Sequence, residues 1–125
     1  MILLLDAHTV IWWISNDATL SRQARDAIAS PSNDVLVSAG TVWEIGIKRA
    51  IGRLDAPDDL LERIDKAGFG AIPIQPADGI RAARLPQHHG DPFDRMVIAQ
   101  AMHLDAIVVT RDAAFDAYDV RTLRA

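Results

Sequence analysis

The sequence predicts an α/β sandwich built on a mainly parallel sheet, and two observations predict it. Short, continuous apolar runs at Ile2–Leu5, Val35–Val37 and Ala106–Val109 read as strands covered on both faces, as strands of a parallel sheet are. Between them lie segments with apolar residues at helical spacing, so that strands alternate with helices along the chain. No internal repeat, low-complexity stretch or linker divides the 125 residues, and one domain over residues 1–125 is expected.

Asp6 follows the first run at its carboxyl end. Residues 8–14 form a helix with Val10, Ile11, Trp13 and Ile14 at helical spacing and with Asp6 and Thr9 near its start; Asn16-Asp17 ends it. A second helix runs from Leu20 to Ile28 with Leu20, Ala24, Ala27 and Ile28 as its inner stripe, and Ser30–Asp34 is a loop. After the strand Val35–Val37 and Ser38, Thr41 to Ile51 is helical, with Glu44, Ile47 and Ile51 on one face and Lys48 four residues beyond Glu44. Gly52 stops it. Asp55-Ala56-Pro57 opens a helix of Leu60, Leu61 and Ile64 that Gly68 closes. Ala71–Ile74 is a short strand whose Pro73 suggests an edge position, and Pro76 starts a helix containing Ile80, Ala83 and Leu85.

The breaker-rich loop Gln87-His88-His89-Gly90-Asp91-Pro92 then turns directly into a helix reaching about Leu104. Pro92 suits a first turn because its missing N–H has no intrahelical partner there, which makes Asp91 the N-cap and Asp94 a first-turn residue. Asp94 heads the apolar stripe of Val97, Ile98 and Ala101, where a carboxylate loses hydration unless a cation or donors compensate. Ala106–Val109 is a buried strand closed by Thr110-Arg111-Asp112; Phe115 and Tyr118 sit in a short helix or turn, and Val120 to Leu123 forms a last edge strand.

Composition narrows the chemistry. The chain has no cysteine, so a metal must be held by oxygen or imidazole, and the absence of thiols fits a reducing cytoplasm. The apolar start is followed at once by Asp6 with no basic segment before it, and no apolar run approaches the roughly 20 residues of a membrane span, so a soluble protein is expected. A formal charge of −4 argues against a basic nucleic-acid-coating protein. Four carboxylates gathered at one site would account for that whole excess, and divalent cations there would still admit a phosphate substrate.

Such a gathering is expected. In open α/β sheets ligands bind beyond the carboxyl ends of the strands, where the strand order reverses. Asp6 and Asp112 each follow a buried run, Asp94 begins the helix leading into the second of these, and Glu44 lies about one turn into another helix. Clustered carboxylates repel unless a cation joins them, and Mg2+ or Mn2+ prefers oxygen ligands. A metal so held activates water and clamps phosphodiester oxygens, which is phosphoester hydrolysis.

The segments Leu3-Leu4-Leu5-Asp6-Ala7-His8-Thr9, Trp43-Glu44-Ile45, Asp91-Pro92-Phe93-Asp94-Arg95 with Ile98-Ala99-Gln100-Ala101, and Val109-Thr110-Arg111-Asp112 resemble the PIN-domain ribonucleases, and more narrowly the VapC-type toxins of type II toxin–antitoxin pairs. The resemblance covers essentially the whole chain. It implies a three-layer α/β/α sandwich in which Asp6, Glu44, Asp94 and Asp112 hold Mg2+ or Mn2+ for endonucleolytic RNA cleavage. It further implies support from the hydroxyls of Thr9 and Thr110, a homodimer, and a cognate antitoxin that covers the groove, with larger toxin–antitoxin assemblies. Asp91 is either an outer ligand or only the N-cap.

Plainer readings stand beside these. Asp6 is also a strand-end turn residue, Glu44 an intrahelical partner of Lys48, Asp94 a helix-start acid, and Asp112 a cap for a short helix at 113–117. His88 and His89 beside Asp91 invite a zinc or general-base reading, against which stands a solvated loop pair; His8 reads as a substrate contact near Asp6 or a partly exposed helix residue, His103 as a helix C-terminal residue, and Asp116 and Asp119 as solvated. Trp12 and Trp13 are adjacent and cannot both face the core, so one of them, with Trp43, belongs at a partner or dimer surface, or else lies partly buried under neighbouring side chains. Lys48, Arg49 and Arg53 are candidate RNA-phosphate contacts or a solvated face. Two rival functions remain open: a phosphatase using Asp6 as an aspartyl nucleophile, and a PIN-like module that binds RNA or antitoxin without cleaving.

Overall fold

The computed structural model describes residues 1–125. Its sheet consists of β1 (Ile2–Leu5), β2 (Asp34–Ser38), β3 (Gly70–Ile72), β4 (Ile107–Thr110) and β5 (Arg121–Arg124), in the order β3-β2-β1-β4-β5 with every pair parallel. The central place of β1 follows from its sequence: Leu3, Leu4 and Leu5 are at most 2% exposed, which only a strand covered on both faces allows. The register sets Leu3 beside Val35 on one flank and beside Ile107 on the other.

The helices are α1 (Ala7–Ile14), α2 (Arg22–Ala29), α3 (Ala39–Ala50), α4 (Leu60–Lys66), α5 (Pro76–Ala83) and α6 (Pro92–Leu104), with a 3₁₀ helix at Ala113–Ala117. Because strand side chains alternate between faces, Leu3 and Leu5 pack with Val10, Ile28, Ile45 and Ile64 of α1 to α4, while Leu4 packs with Ala82, Ile98 and Phe115 of α5, α6 and the 3₁₀ helix. The result is a three-layer α/β/α sandwich. The chain builds outward from β1 through β2 to β3, then crosses back to β4 and β5, so strand order reverses between β1 and β4. Beyond the carboxyl ends of that pair lies the crevice that such a reversal opens.

Local chemistry shifts several expected boundaries. The second helix starts at Arg22 rather than Leu20 because the Ser21 hydroxyl accepts the Ala24 N–H at 3.0 Å and caps it. Ser38 does the same for α3 through Gly40, so that helix starts two residues early and ends at Ala50. Its inner face is Thr41, Glu44 and Ile45, not the expected line of Glu44, Ile47 and Ile51; Ile51 lies past the helix end and is 61% exposed. The fourth helix starts at Leu60, well after Asp55, and leaves Leu61 in solvent. In α5 Ile80 faces outward, and Leu85 is buried just beyond the helix rather than within it. The strand β3 stops before Pro73, which has no N–H for a ladder, and occupies the expected edge; β5 is the other edge. Gly70 lies close to the end of the Leu36 side chain, which a Cβ there would meet at 2.7 Å and turn aside. No helix is long and apolar enough to cross a membrane.

Candidate active site

Asp6 leaves the end of β1 and becomes the N-cap of α1. One carboxylate oxygen accepts the Thr9 N–H at 2.9 Å and lies 2.7 Å from the Thr9 hydroxyl, which is also 2.9 Å from the Val109 carbonyl; the other accepts the Thr110 hydroxyl at 2.5 Å. Thr110 in turn accepts the N–H of Asp112 at 3.1 Å. Two threonines from α1 and β4 thus fix the orientation of Asp6 and tie it to Asp112 across the reversal of strand order. Asp112 is half exposed and uses Oδ1 to cap Ala114 at 2.9 Å, so the cap reading holds for one of its oxygens.

Glu44 reaches the same place from α3. It is only 5% exposed, and its Oε2 lies 2.5 Å from the Lys48 ammonium, the i,i+4 pair the spacing predicts. The Lys48 ammonium is held charged above its ordinary range, first by that hydrogen bond and further by the charges of Glu44, Asp91 and Asp94, against the opposing effect of burial. From α6, Asp91 caps the Phe93 and Asp94 N–H groups with one oxygen, at 2.8 and 3.1 Å. Asp94 sits one turn deeper, where burial pushes its carboxyl up to about 6; the charges of Asp91 and Glu44 add to this, and a hydrogen bond from His89 opposes it.

These groups line one cleft of about 200 Å³ with Asp6, Glu44, Lys48, His89, Asp91, Asp94 and Asp112 on its walls. Ligand atoms of Glu44, Asp91 and Asp94 all lie within 4.8 Å of one another, and those of His89, Asp94 and Asp112 do so as well, so Asp94 belongs to both sets. Asp6 lines the cleft but joins neither set; its two oxygens accept hydrogen bonds from Thr9 and Thr110. Asp91 is both an N-cap and a member of the cluster. The donors are carboxylate oxygens with one imidazole, a set suited to a hard or borderline divalent cation, and Lys48 is the single permanent cation among them.

The histidine pair divides between its two readings. His88 is exposed with its ring against Tyr118 at 5.3 Å, but His89 turns inward and places Nε2 2.7 Å from Asp94 Oδ2. Two neighbouring loop residues point apart, and what separates them is tertiary. His89 N–H donates to the Tyr118 hydroxyl at 2.9 Å, and that hydroxyl donates to the Pro86 carbonyl at 2.9 Å. No local signal marks this choice.

Of the basic candidates only Lys48 faces the cleft; Arg49 pairs with Asp58, and Arg53 is exposed away from it. Trp12 and Trp13 are both half-buried, the partial burial that stood beside the partner-surface reading. Adjacent helix positions straddle the inner stripe, and Arg111 covers Trp12 at 4.6 Å while Phe69 covers Trp13 at 6.0 Å. Trp43 is the exposed one, at 64%, set edge-on against Phe93 with centroids 5.1 Å apart. His8 is exposed on the rim and packs on Trp12, and His103 lies in the last turn of α6 as its position suggested.

Comparison with known proteins agrees with this architecture. The PIN domain family model matches residues 3–121. Ribonuclease VapC22 of Mycobacterium tuberculosis is 31% identical over 117 residues, an alignment spanning 87% of this chain and 85% of that protein. The fold is shared with VapBC2 from Rickettsia felis, solved on a DNA fragment from its promoter, with a TM-score of 0.73 and 12% identity over 98% of each chain. It is shared also with FitAcB from Neisseria gonorrhoeae, at a TM-score of 0.66 and 21% identity over 98% of this chain and 96% of that one. The chain belongs to the PIN-domain family, among its VapC-type members.

Proposed function

We propose that this chain is a single-domain, Mg2+- or Mn2+-dependent endoribonuclease and the toxin of a type II toxin–antitoxin pair, with Asp6, Glu44, Asp94 and Asp112 as its site and Asp91 assisting. The observation that carries the reading is the overlap of two ligand sets on Asp94, in a crevice walled by five acids with Lys48 as the one permanent cation. Asp94 already resists ionisation there, which is the sign of a site that gains from added positive charge.

Bound among these carboxylates, a divalent cation lowers the pKa of water and stabilises charge on phosphodiester oxygens. The chain's own groups do the rest. Thr9 and Thr110 hold Asp6 in one orientation, and Glu44 is fixed by burial and by Lys48. The Lys48 ammonium adds positive charge where an RNA phosphate would lie. Water attacks phosphorus, the bond to the 3′ oxygen breaks, and a proton passes to that oxygen, leaving a 5′ phosphate and a 3′ hydroxyl. The phosphatase rival is disfavoured because His8 stands where such enzymes supply a second acid.

Similarity to VapC22, named a ribonuclease, and to structures described as VapBC or toxin–antitoxin complexes supports the pairing with a cognate antitoxin that covers the cleft. Trp43, exposed and set edge-on against Phe93, is the proposed partner surface, toward the antitoxin or a second copy of the chain. Antitoxin-free protein given Mn2+ and a panel of structured RNAs is expected to cut at least one of them. Cleavage by Asp6→Asn and Asp94→Asn variants at the parent rate would overturn the assignment, and tight RNA binding without products would favour the non-cleaving module.

A further inference from the structure

His89 belongs to no acidic motif, yet the fold devotes unusual effort to placing it. Its loop lies between α5 and α6, and two separate groups hold that loop's backbone. Tyr118 accepts the His89 N–H and donates to Pro86, as described above. The Arg95 guanidinium donates to the carbonyl of Pro86 at 2.9 Å and reaches that of His89 at 3.3 Å. Its other nitrogen donates to Ala82 and Leu85 at 2.8 and 2.9 Å, which anchors the loop to the end of α5. A buried charge and a buried hydroxyl are thereby spent on holding this stretch. The result is one imidazole directed inward while its neighbour His88 stays in solvent.

The inward ring is placed as a ligand would be. Its Nε2 lies 2.7 Å from Asp94 Oδ2 and 4.0 Å from Asp112 Oδ2, and the three groups form one of the two sets whose donor atoms lie within 4.8 Å of each other. The nitrogen that faces the Asp94 carboxylate is the atom that would coordinate a cation shared with it. A nitrogen donor suits Mg2+ poorly, because that ion demands oxygen, and suits transition ions better.

We propose that His89 is a nitrogen ligand of the bound divalent cation, alongside Asp94 and Asp112, and that it moves the site's preference from Mg2+ toward Mn2+. The inference rests on the metal-dependent reading above and adds a ligand outside the acidic set.

Pulsed electron paramagnetic resonance on the Mn2+-loaded full chain tests it without recourse to cleavage. A nitrogen hyperfine coupling is expected in the parent and in His88→Gln, and its loss is expected in His89→Gln. Calorimetric titration of the same proteins should show Mn2+ affinity falling about tenfold or more in His89→Gln, with Mg2+ affinity changed far less. Mn2+ bound with no nitrogen coupling in the parent overturns the proposal; if Asp94→Asn then abolishes binding, the acidic site stands without His89. A coupling that survives in His89→Gln also overturns it. No Mn2+ binding at all removes both this inference and the metal-dependent reading.

Discussion

Asp94 and Arg95 are consecutive on α6, both sit away from solvent, and their charges are treated in opposite ways. Arg95 is 8% exposed and has no carboxylate partner, yet its guanidinium is surrounded by the carbonyls of Ala82, Leu85 and Pro86 within 2.9 Å, with Ala83, His89 and the Tyr118 hydroxyl somewhat farther off. Asp94 has one hydrogen-bonding side chain, His89, and two like charges nearby. A buried charge ringed by backbone dipoles is complete as folded. A buried charge ringed by other acids becomes complete only when something positive arrives. Their contrast separates a residue that holds the fold from one the fold holds ready.

The sharpest way to break the comparison is to remove each charge and ask what is lost. Asp94→Asn is expected to lower Mn2+-dependent RNA cleavage about a thousandfold, measured as initial rates on the best RNA of the panel, while the protein melts no earlier than the parent. Arg95→Met should behave in the reverse manner. It strands several buried carbonyls at once and is expected to cost about 3 kcal/mol in denaturant melts, and the folded fraction should still bind Mn2+. If Arg95→Met melts like the parent, the carbonyl cage is not what stabilises the loop.

How far the sequence reveals each half of this contrast differs for a physical reason. Asp91, Pro92 and Asp94 announce the start of α6 because capping is local, and the apolar runs of β1 and β4 announce buried strands because both faces must be covered. The convergence of Asp6, Glu44, Asp94 and Asp112 follows from those elements and the rule for parallel sheets. The inward turn of His89 does not, since it depends on Tyr118, 29 residues away. Nor does periodicity alone tell which apolar residues are covered. Ile51, Leu61 and Ile80 sit at helical spacing but face solvent, because no second element packs over them.

A smaller effect is expected from the threonine that links Asp6 to Asp112. Thr110→Val keeps the shape of β4 but removes the donor to Asp6 and the acceptor for the Asp112 N–H. Orientation of the acids should loosen, lowering cleavage about ten- to a hundredfold with little change in RNA binding. Equal cleavage by this variant would mean that the Thr110 hydroxyl serves the strand end and not the site.

The smallest expected effect follows from the sign of the Asp94 shift. Its folded carboxyl titrates at about 6, above the unfolded value of about 4, so without metal the native chain holds a proton that the unfolded chain has already lost. The associated stability is present below the unfolded value and disappears as pH rises through the folded one. Near neutral pH the metal-free protein therefore carries an ionised Asp94 at a loss, which asparagine would not incur. Two pH units would correspond to nearly 3 kcal/mol, and partial access to water reduces this to about 1 to 2 kcal/mol. Asp94→Asn, the variant expected to lose about a thousandfold in cleavage, should thus be the more stable protein in chelator at about pH 7.5, and its advantage should vanish near pH 4. Urea melts at the two pH values decide the matter, and added Mn2+ should stabilise only the parent. An advantage that persists unchanged at low pH would assign the gain to packing rather than charge, and Asp94 would no longer be the strained member of the pair.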